Sequence, residues 1–183
     1  MIVIILTHAD AENVEPGQFR GLSHKGGVQV DEAASRFHSI VGKLVPELNS
    51  KQILISQILS SPMARCIETV LRFSNGVRGF TATSEIRIAH RLREQRYGQL
   101  SAGDIVSVLD DTSSEVVLLC THGDLAGALP VNAEFKPEVV KDGWFKSRPV
   151  LTIMEYDPKT KWEYAKILGC EAKENNWETL LQT

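Results

Sequence analysis

Two stretches of this 183-residue chain share one pattern, an unbroken apolar run that stops on Thr-His. The first is Met1-Ile2-Val3-Ile4-Ile5-Leu6-Thr7-His8, and the second is Glu115-Val116-Val117-Leu118-Leu119-Cys120-Thr121-His122-Gly123-Asp124. Such a run, rich in β-branched residues, reads as a strand buried on both faces, and strands of that kind belong to parallel sheets covered by helices. One histidine after a strand carries little information. Two parallel strands that end alike bring both imidazoles to one crevice, because ligands of open α/β sheets bind beyond the carboxyl ends of the strands. The expected architecture is therefore α/β, an open, mostly parallel sheet flanked by helices on both faces, with His8 and His122 together at its edge.

The intervening chain fits that frame. Residues 9–25, with Pro16, Gly17 and Gly21, form a loop after the first strand, and its cations are Arg20 and Lys25. Apolar residues at Val30, Ala33, Ala34, Phe37, Val41, Leu44 and Leu48 recur at three and four, which predicts an amphipathic helix over 26–48. Residues 52–59 read as a second buried strand. Ser60-Ser61-Pro62 then supplies a hydroxyl cap and a proline at the first helical position, so a helix is expected to start at Pro62 and continue through Met63 to Leu71. Arg65 falls in its first turn, where the macrodipole disfavours a cation unless an anionic ligand is shared. A short strand is expected near 86–89, a charged turn over 92–100, and a short helix over 104–109 capped by Ser101. A hairpin of 149–156 and 162–168 is joined by Asp157-Pro158-Lys159-Thr160-Lys161, and a helix over 175–181 closes the chain.

Composition narrows the partners. With 43% hydrophobic and 23% charged residues the chain is long enough for one well-buried core, so a single domain over 1–183 is expected. Net charge is -3 and no run of Lys or Arg exceeds two, which leaves no electrostatic footprint for nucleic acid or an anionic membrane. The opening apolar run is too short to span a bilayer and lacks the basic start and cleavage site of a signal peptide, so a cytoplasmic protein is expected. Cys66, Cys120 and Cys170 are odd in number and widely spaced, as reduced thiols would be. The five histidines contain no HxH or HxxxH pair, so no metal is expected.

Taken in order, these motifs resemble the histidine phosphatases related to cofactor-dependent phosphoglycerate mutase. The family's opening strand and Arg-His-Gly is matched by Leu6-Thr7-His8-Ala9. Its Leu-Thr/Ser-x-x-Gly-x-x-Gln helix start is matched by Leu22-Ser23-His24-Lys25-Gly26-Gly27-Val28-Gln29. Ser60-Ser61-Pro62-Met63-Ala64-Arg65-Cys66-Ile67-Glu68-Thr69 matches its Ser-Ser-Pro-x-x-Arg-x-x-x-Thr, the stretch from Leu92 to Gly98 its Leu-x-Glu-x-x-Tyr-Gly, and Thr121-His122-Gly123 its second histidine motif. The resemblance implies that His8 is a nucleophile, that Arg65 grips phosphate oxygens and that His122 hydrogen-bonds the transferring group. It also implies that Glu94 protonates the leaving atom, that Thr7, Tyr97 and Gly123 border the substrate, and that no cofactor is needed.

The departures matter as much. Thr7 stands where the family has arginine, and Ala9 where it has glycine. Loss of one donor aimed at a transition state costs on the order of 10²–10³ in rate. Either another arginine fills the vacancy, with Arg20 the leading candidate beside Arg91, Arg93 and Arg96, or the chain is a weakened or inactive member that binds a phosphorylated partner. The region over about 95–114, where mutases of the family carry a long cap, is very short. The resemblance thus favours a phosphatase acting on a phosphorylated small molecule or phosphoprotein, phosphohistidine included, over a mutase.

Overall fold

The computed structural model describes residues 1–15, 19–44, 55–77, 85–93, 102–112, 114–123, 149, 151–159, 166–172 and 178–181. The apolar opening run forms β1 (Ile2–Thr7), and it is enclosed because both of its edges are paired. Strand β4 (Val116–Thr121) lies parallel to it, from Ile2 opposite Val116 to Thr7 opposite Thr121. Strand β5 (Leu151–Glu155) is antiparallel on the other side. With β2 (Gln57–Ser60), β3 (Ile86–Ile88), β6 (Lys166–Ala172) and β7 (Glu178–Leu181), these make a seven-stranded sheet in the order β3-β2-β4-β1-β5-β6-β7. Pairing directions set β1 to β4 and β6 along one direction and reverse β5 and β7.

Helices α1 (His24–Leu44) and α2 (Ala64–Gly76) each connect strands in the same sense along the sheet, whereas α3 (Ala102–Leu109) brings the chain back from β3 to β4. Because crossovers between parallel strands are right-handed, the first two helices share one face and α3 takes the other. The shared face is the main core. Ile4, Leu6, Ile58, Leu118, Cys120 and Ile153 from the sheet meet Val30, Ala33, Phe37 and Val41 of α1 and Cys66, Val70 and Phe73 of α2. Phe37 and Phe73 pack edge to face at 5.4 Å, locking the two helices together. Each such buried side chain contributes about 1.5–3 kcal/mol relative to exposure.

Several boundaries differ from the sequence reading. Helix α1 starts at His24, two residues early, because the Ser23 hydroxyl accepts the Gly26 N–H at 3.0 Å and caps it. Helix α2 starts at Ala64 with Met63 at its cap and no cap bond from that side chain, so Pro62 lies before the helix, and Ser61 Oγ accepts the Met63 N–H at 3.4 Å. The strand expected over 52–59 is described from Ile55 and forms over Gln57–Ser60, and the second hairpin strand is Lys166–Ala172. The closing helix expected over 175–181 is overturned: Glu178–Leu181 is a strand, antiparallel to β6. Four residues make less than the first turns of a stable helix, whereas pairing along the edge of β6 satisfies the same backbone groups at once.

Candidate active site

Register builds the site. Since Thr7 and Thr121 are partners across β1 and β4, the next residue of each chain, His8 and His122, emerges at the same sheet edge. The imidazole centroids are 5.2 Å apart and inclined at 70°. Arg65, in the first turn of α2, reaches both rings. Its Nε–H donates to His8 Nε2 at 3.2 Å, and its Nη2 lies 3.3 Å from His122 Nδ1. All three residues are buried, at 2%, 3% and 1% exposure for His8, Arg65 and His122.

These contacts decide which nitrogens carry protons. A guanidinium only donates, so the ring nitrogens facing it accept. The Nδ1 of His8 lies 2.7 Å from the carbonyl oxygen of Ala9, which only accepts, so Nδ1 holds the proton and Nε2 presents its lone pair. In His122 the roles are exchanged: Nδ1 accepts from Arg65, and Nε2 donates to Ser61 Oγ at 2.8 Å. The two imidazoles are therefore opposite tautomers. The thiol of Cys66 donates to the Thr121 carbonyl at 3.5 Å and lies 3.6 Å from His122 Nε2. Burial, followed by its neighbour Cys66, pushes the Cys120 thiol well above its ordinary value, so it stays protonated beneath the site.

The loop carrying His8 is held by both helices. Thr69 Oγ1 accepts the Ala9 N–H at 3.2 Å and donates to the Arg65 carbonyl at 2.6 Å, joining the loop of His8 to the backbone of Arg65 through one hydroxyl. Asp10 is bound by Ser23 Oγ through Oδ2 at 2.7 Å, and its N–H donates to Gln29 Oε1 at 3.0 Å. A Cβ at Gly26 would run into the Asp10 carbonyl oxygen, so only glycine lets the start of α1 come this close. Each specified position of the Leu-Ser-x-x-Gly-x-x-Gln stretch after Leu22 thus serves the chain leaving β1.

Of the residues singled out from sequence, the structure brings together His8, Arg65 and His122, with Thr7 and Gly123 buried at the strand ends. It does not bring Arg20 to His8. The loop folds back on itself through the Ala11–Leu22 bridge and the Glu12 N–H bond to Gly21, so Arg20 sits beyond the bridge, exposed, with its Nε donating to the Glu12 carbonyl at 2.7 Å. Arg91 and Arg93 are also exposed. Glu94, Arg96 and Tyr97 lie outside the described residues, as does all of 95–101 with the expected cap Ser101; the short helix expected after it is α3. The chain leading to Glu94 is anchored at the strand tips, where the Ala89 N–H donates to the Ser60 carbonyl and Thr121 Oγ1 to the Leu92 carbonyl, at 2.8 and 3.1 Å. Sequence reasoning missed Ser61, Thr69 and Gln29 as site residues, although all three stand in the motifs it singled out.

Among the described residues, no three of His, Cys, Asp and Glu gather into a group able to hold a metal ion, and no helix is long and apolar enough to cross a membrane. No family model matches the sequence, and no curated protein matches it either. Solved structures do match. SixA from Agrobacterium tumefaciens is similar with a TM-score of 0.60 at 19% identity, over 94% of this chain and 98% of that one. The protein histidine phosphatase SixA in complex with tungstate gives 0.58 at 15%, over 92% and 97%. Phosphoserine phosphatase from Entamoeba histolytica, in complex with 3-phosphoglyceric acid, gives 0.52 at 14%, over 84% and 89%. With its sheet order and paired strand-end histidines, the chain has the α/β fold of the histidine phosphatase superfamily, the fold that phosphoglycerate mutase shares.

Proposed function

We propose that the chain is a metal-independent phosphatase that hydrolyses phosphomonoesters or phosphohistidine through a phosphohistidine formed on His8. One observation carries this reading: His8 Nε2 accepts the Arg65 Nε–H, and His122 Nδ1 faces Nη2 on the same edge of that guanidinium. In the reaction, the Nε2 lone pair attacks phosphorus while the bond to the leaving oxygen or nitrogen breaks and takes its electron pair away. Arg65 trades its imidazole contacts for equatorial phosphoryl oxygens, which its planar fork suits. Glu94, by resemblance to the family, protonates the leaving atom, then removes a proton from the water that releases phosphate and restores His8. That SixA forms a complex with tungstate, a tetrahedral oxyanion, supports a phosphoryl-sized pocket of this kind. The buried thiols of Cys66 and Cys120, unpaired in disulfides, suit the reducing cytoplasm in which we place the protein.

The test is covalent trapping. Incubation with a phosphoryl donor followed by alkaline quench is expected to leave acid-labile, alkali-stable phosphate on the protein, and His8→Ala is expected to remove both label and turnover. Turnover that persists in His8→Ala, or that disappears with a chelator, refutes the mechanism. A second reading has its own support, since Thr7 replaces an arginine and Arg20 is on the surface. In that case the pocket binds a phosphorylated partner without turning it over. A panel of phosphomonoesters and phosphohistidine peptides separates the two, because a pure binder shows saturable affinity with background turnover for every member.

A further inference from the structure

The peptide unit joining Ala9 to Asp10 is gripped at both ends. Its carbonyl accepts the His8 Nδ1 proton at 2.7 Å, and its N–H donates to Gln29 Oε1 at 3.0 Å. A trans peptide is planar with C=O and N–H pointing opposite ways, so fixing one end fixes the other. We infer that Gln29 is a positioning residue: by holding the Asp10 N–H it aims the Ala9 carbonyl at His8 Nδ1, keeps the proton on that nitrogen and leaves Nε2 able to attack.

The neighbouring contacts do not perform this task. Thr69 holds the preceding peptide, through the Ala9 N–H, and Ser23 holds the Asp10 carboxylate and the carbonyl of the following peptide. Neither defines the plane between them. Were that plane to turn over, an N–H would face Nδ1 in place of a carbonyl. The imidazole would then shed its Nδ1 proton and carry one on Nε2, directly against the Arg65 Nε–H. Donor would face donor, and the nitrogen meant to attack phosphorus would have no lone pair to offer. Gln29 is suited to prevent this because it projects from α1, whose start is fixed by the Ser23 cap and by the contact at Gly26.

The kinetic side of this inference rests on the phosphatase reading, but the tautomer does not, so the experiment reads both. In protein labelled with ¹⁵N-histidine, long-range ¹H–¹⁵N correlation spectra distinguish protonated from unprotonated ring nitrogens, with His8 identified by its loss in His8→Ala. The natural protein is expected to show His8 protonated at Nδ1. Gln29→Met, of similar length and helix propensity but without an acceptor, is expected to move His8 toward the Nε2-protonated form. It should also lower kcat by about 10- to 100-fold with little change in KM, the range met when the orienting partner of a metal-bound imidazole is removed. Gln29→Glu keeps the acceptor and is expected to restore both readouts. Should Gln29→Met not fold, Gln29→Ala takes its place in the same measurement. An unchanged His8 tautomer in Gln29→Met, or in Gln29→Ala where that stands in for it, or a folded Gln29→Glu that restores neither readout, overturns the inference. A tautomer that responds as expected in a protein that no donor phosphorylates sustains the inference and sinks the phosphatase reading alone.

Discussion

Of the two departures from the pattern, Thr7 for arginine and Ala9 for glycine, Thr7 is the one that removes a charge. It is buried opposite Thr121, and Thr121 spends its hydroxyl on the Leu92 carbonyl, so the strand tips hold the chain leading to Glu94 and supply no second guanidinium. Thr7→Arg is expected to raise kcat/KM by up to about 10²–10³, the worth of one donor placed against charge that develops in the transition state. Arg20→Ala, by contrast, is expected to leave turnover unchanged, since its guanidinium is engaged at the Glu12 carbonyl. A loss in Arg20→Ala as heavy as that in Arg65→Ala contradicts this placement. The contrast shows what could be read without a structure. His8, His122 and Arg65 terminate or begin elements whose apolar periodicity is strong, so their neighbourhood follows from topology. Arg20 sits in a loop whose path is set by the Ala11–Leu22 bridge and by Glu68 accepting the Leu22 N–H, contacts without a local signature. Ser61, a hydroxyl before a proline, has the local signature of a helix cap, yet beside a long contact from the Met63 N–H at 3.4 Å it also bonds an imidazole 61 residues away in sequence at 2.8 Å.

At the scale of single elements, the start of α1 is the most demanding. Replacing a helical glycine by alanine ordinarily gains roughly 1 kcal/mol through propensity. At Gly26 the new Cβ meets the backbone oxygen of Asp10, which cannot rotate away, and overpacking of that kind costs about 1–3 kcal/mol. Gly26→Ala is therefore expected to lower the urea midpoint and, by displacing Asp10, to slow turnover as well. Gly27→Ala, where the obstacle is the movable end of Arg72, is expected to lose less on both counts. A Gly26→Ala protein at least as stable as the natural one refutes the close approach. The helices were legible because an apolar face recurs over many residues. Strand β7 was not, because four residues cannot display a period, and its identity comes from the partner edge of β6.

Across the whole molecule, α1 and α2 are clasped outside the core by the two-pronged Asp31–Arg72 pair, with bonds of 2.7 and 2.6 Å. The hydrogen bond from Arg72 holds the Asp31 carboxyl below its ordinary value of 3.8. A lowered folded pKa contributes stability that is present above 3.8 and fades as the pH falls through the lower folded value. Both side chains are about half exposed, 49% and 54%, so the contribution is small and screened by salt. Asp31→Asn is expected to lower the denaturant midpoint slightly at neutral pH in dilute buffer, with the gap closing in acid and at 1 M salt; a gap that widens in acid would reverse the sign of the linkage. Sheet order bears on the chain's synthesis too. Strand β1 is made first, yet both of its neighbours, β4 and β5, lie beyond residue 115. A growing chain therefore carries Ile2 to Leu6 with no native edge to pair until β4, at residues 116–121, has left the ribosome. Loop closure that long is slow, and an unpaired apolar strand is prone to wrong association meanwhile. The strand that leads into His8 is thus the one most in need of a chaperone's shelter, and no truncated product lacking β4 can assemble the histidine pair.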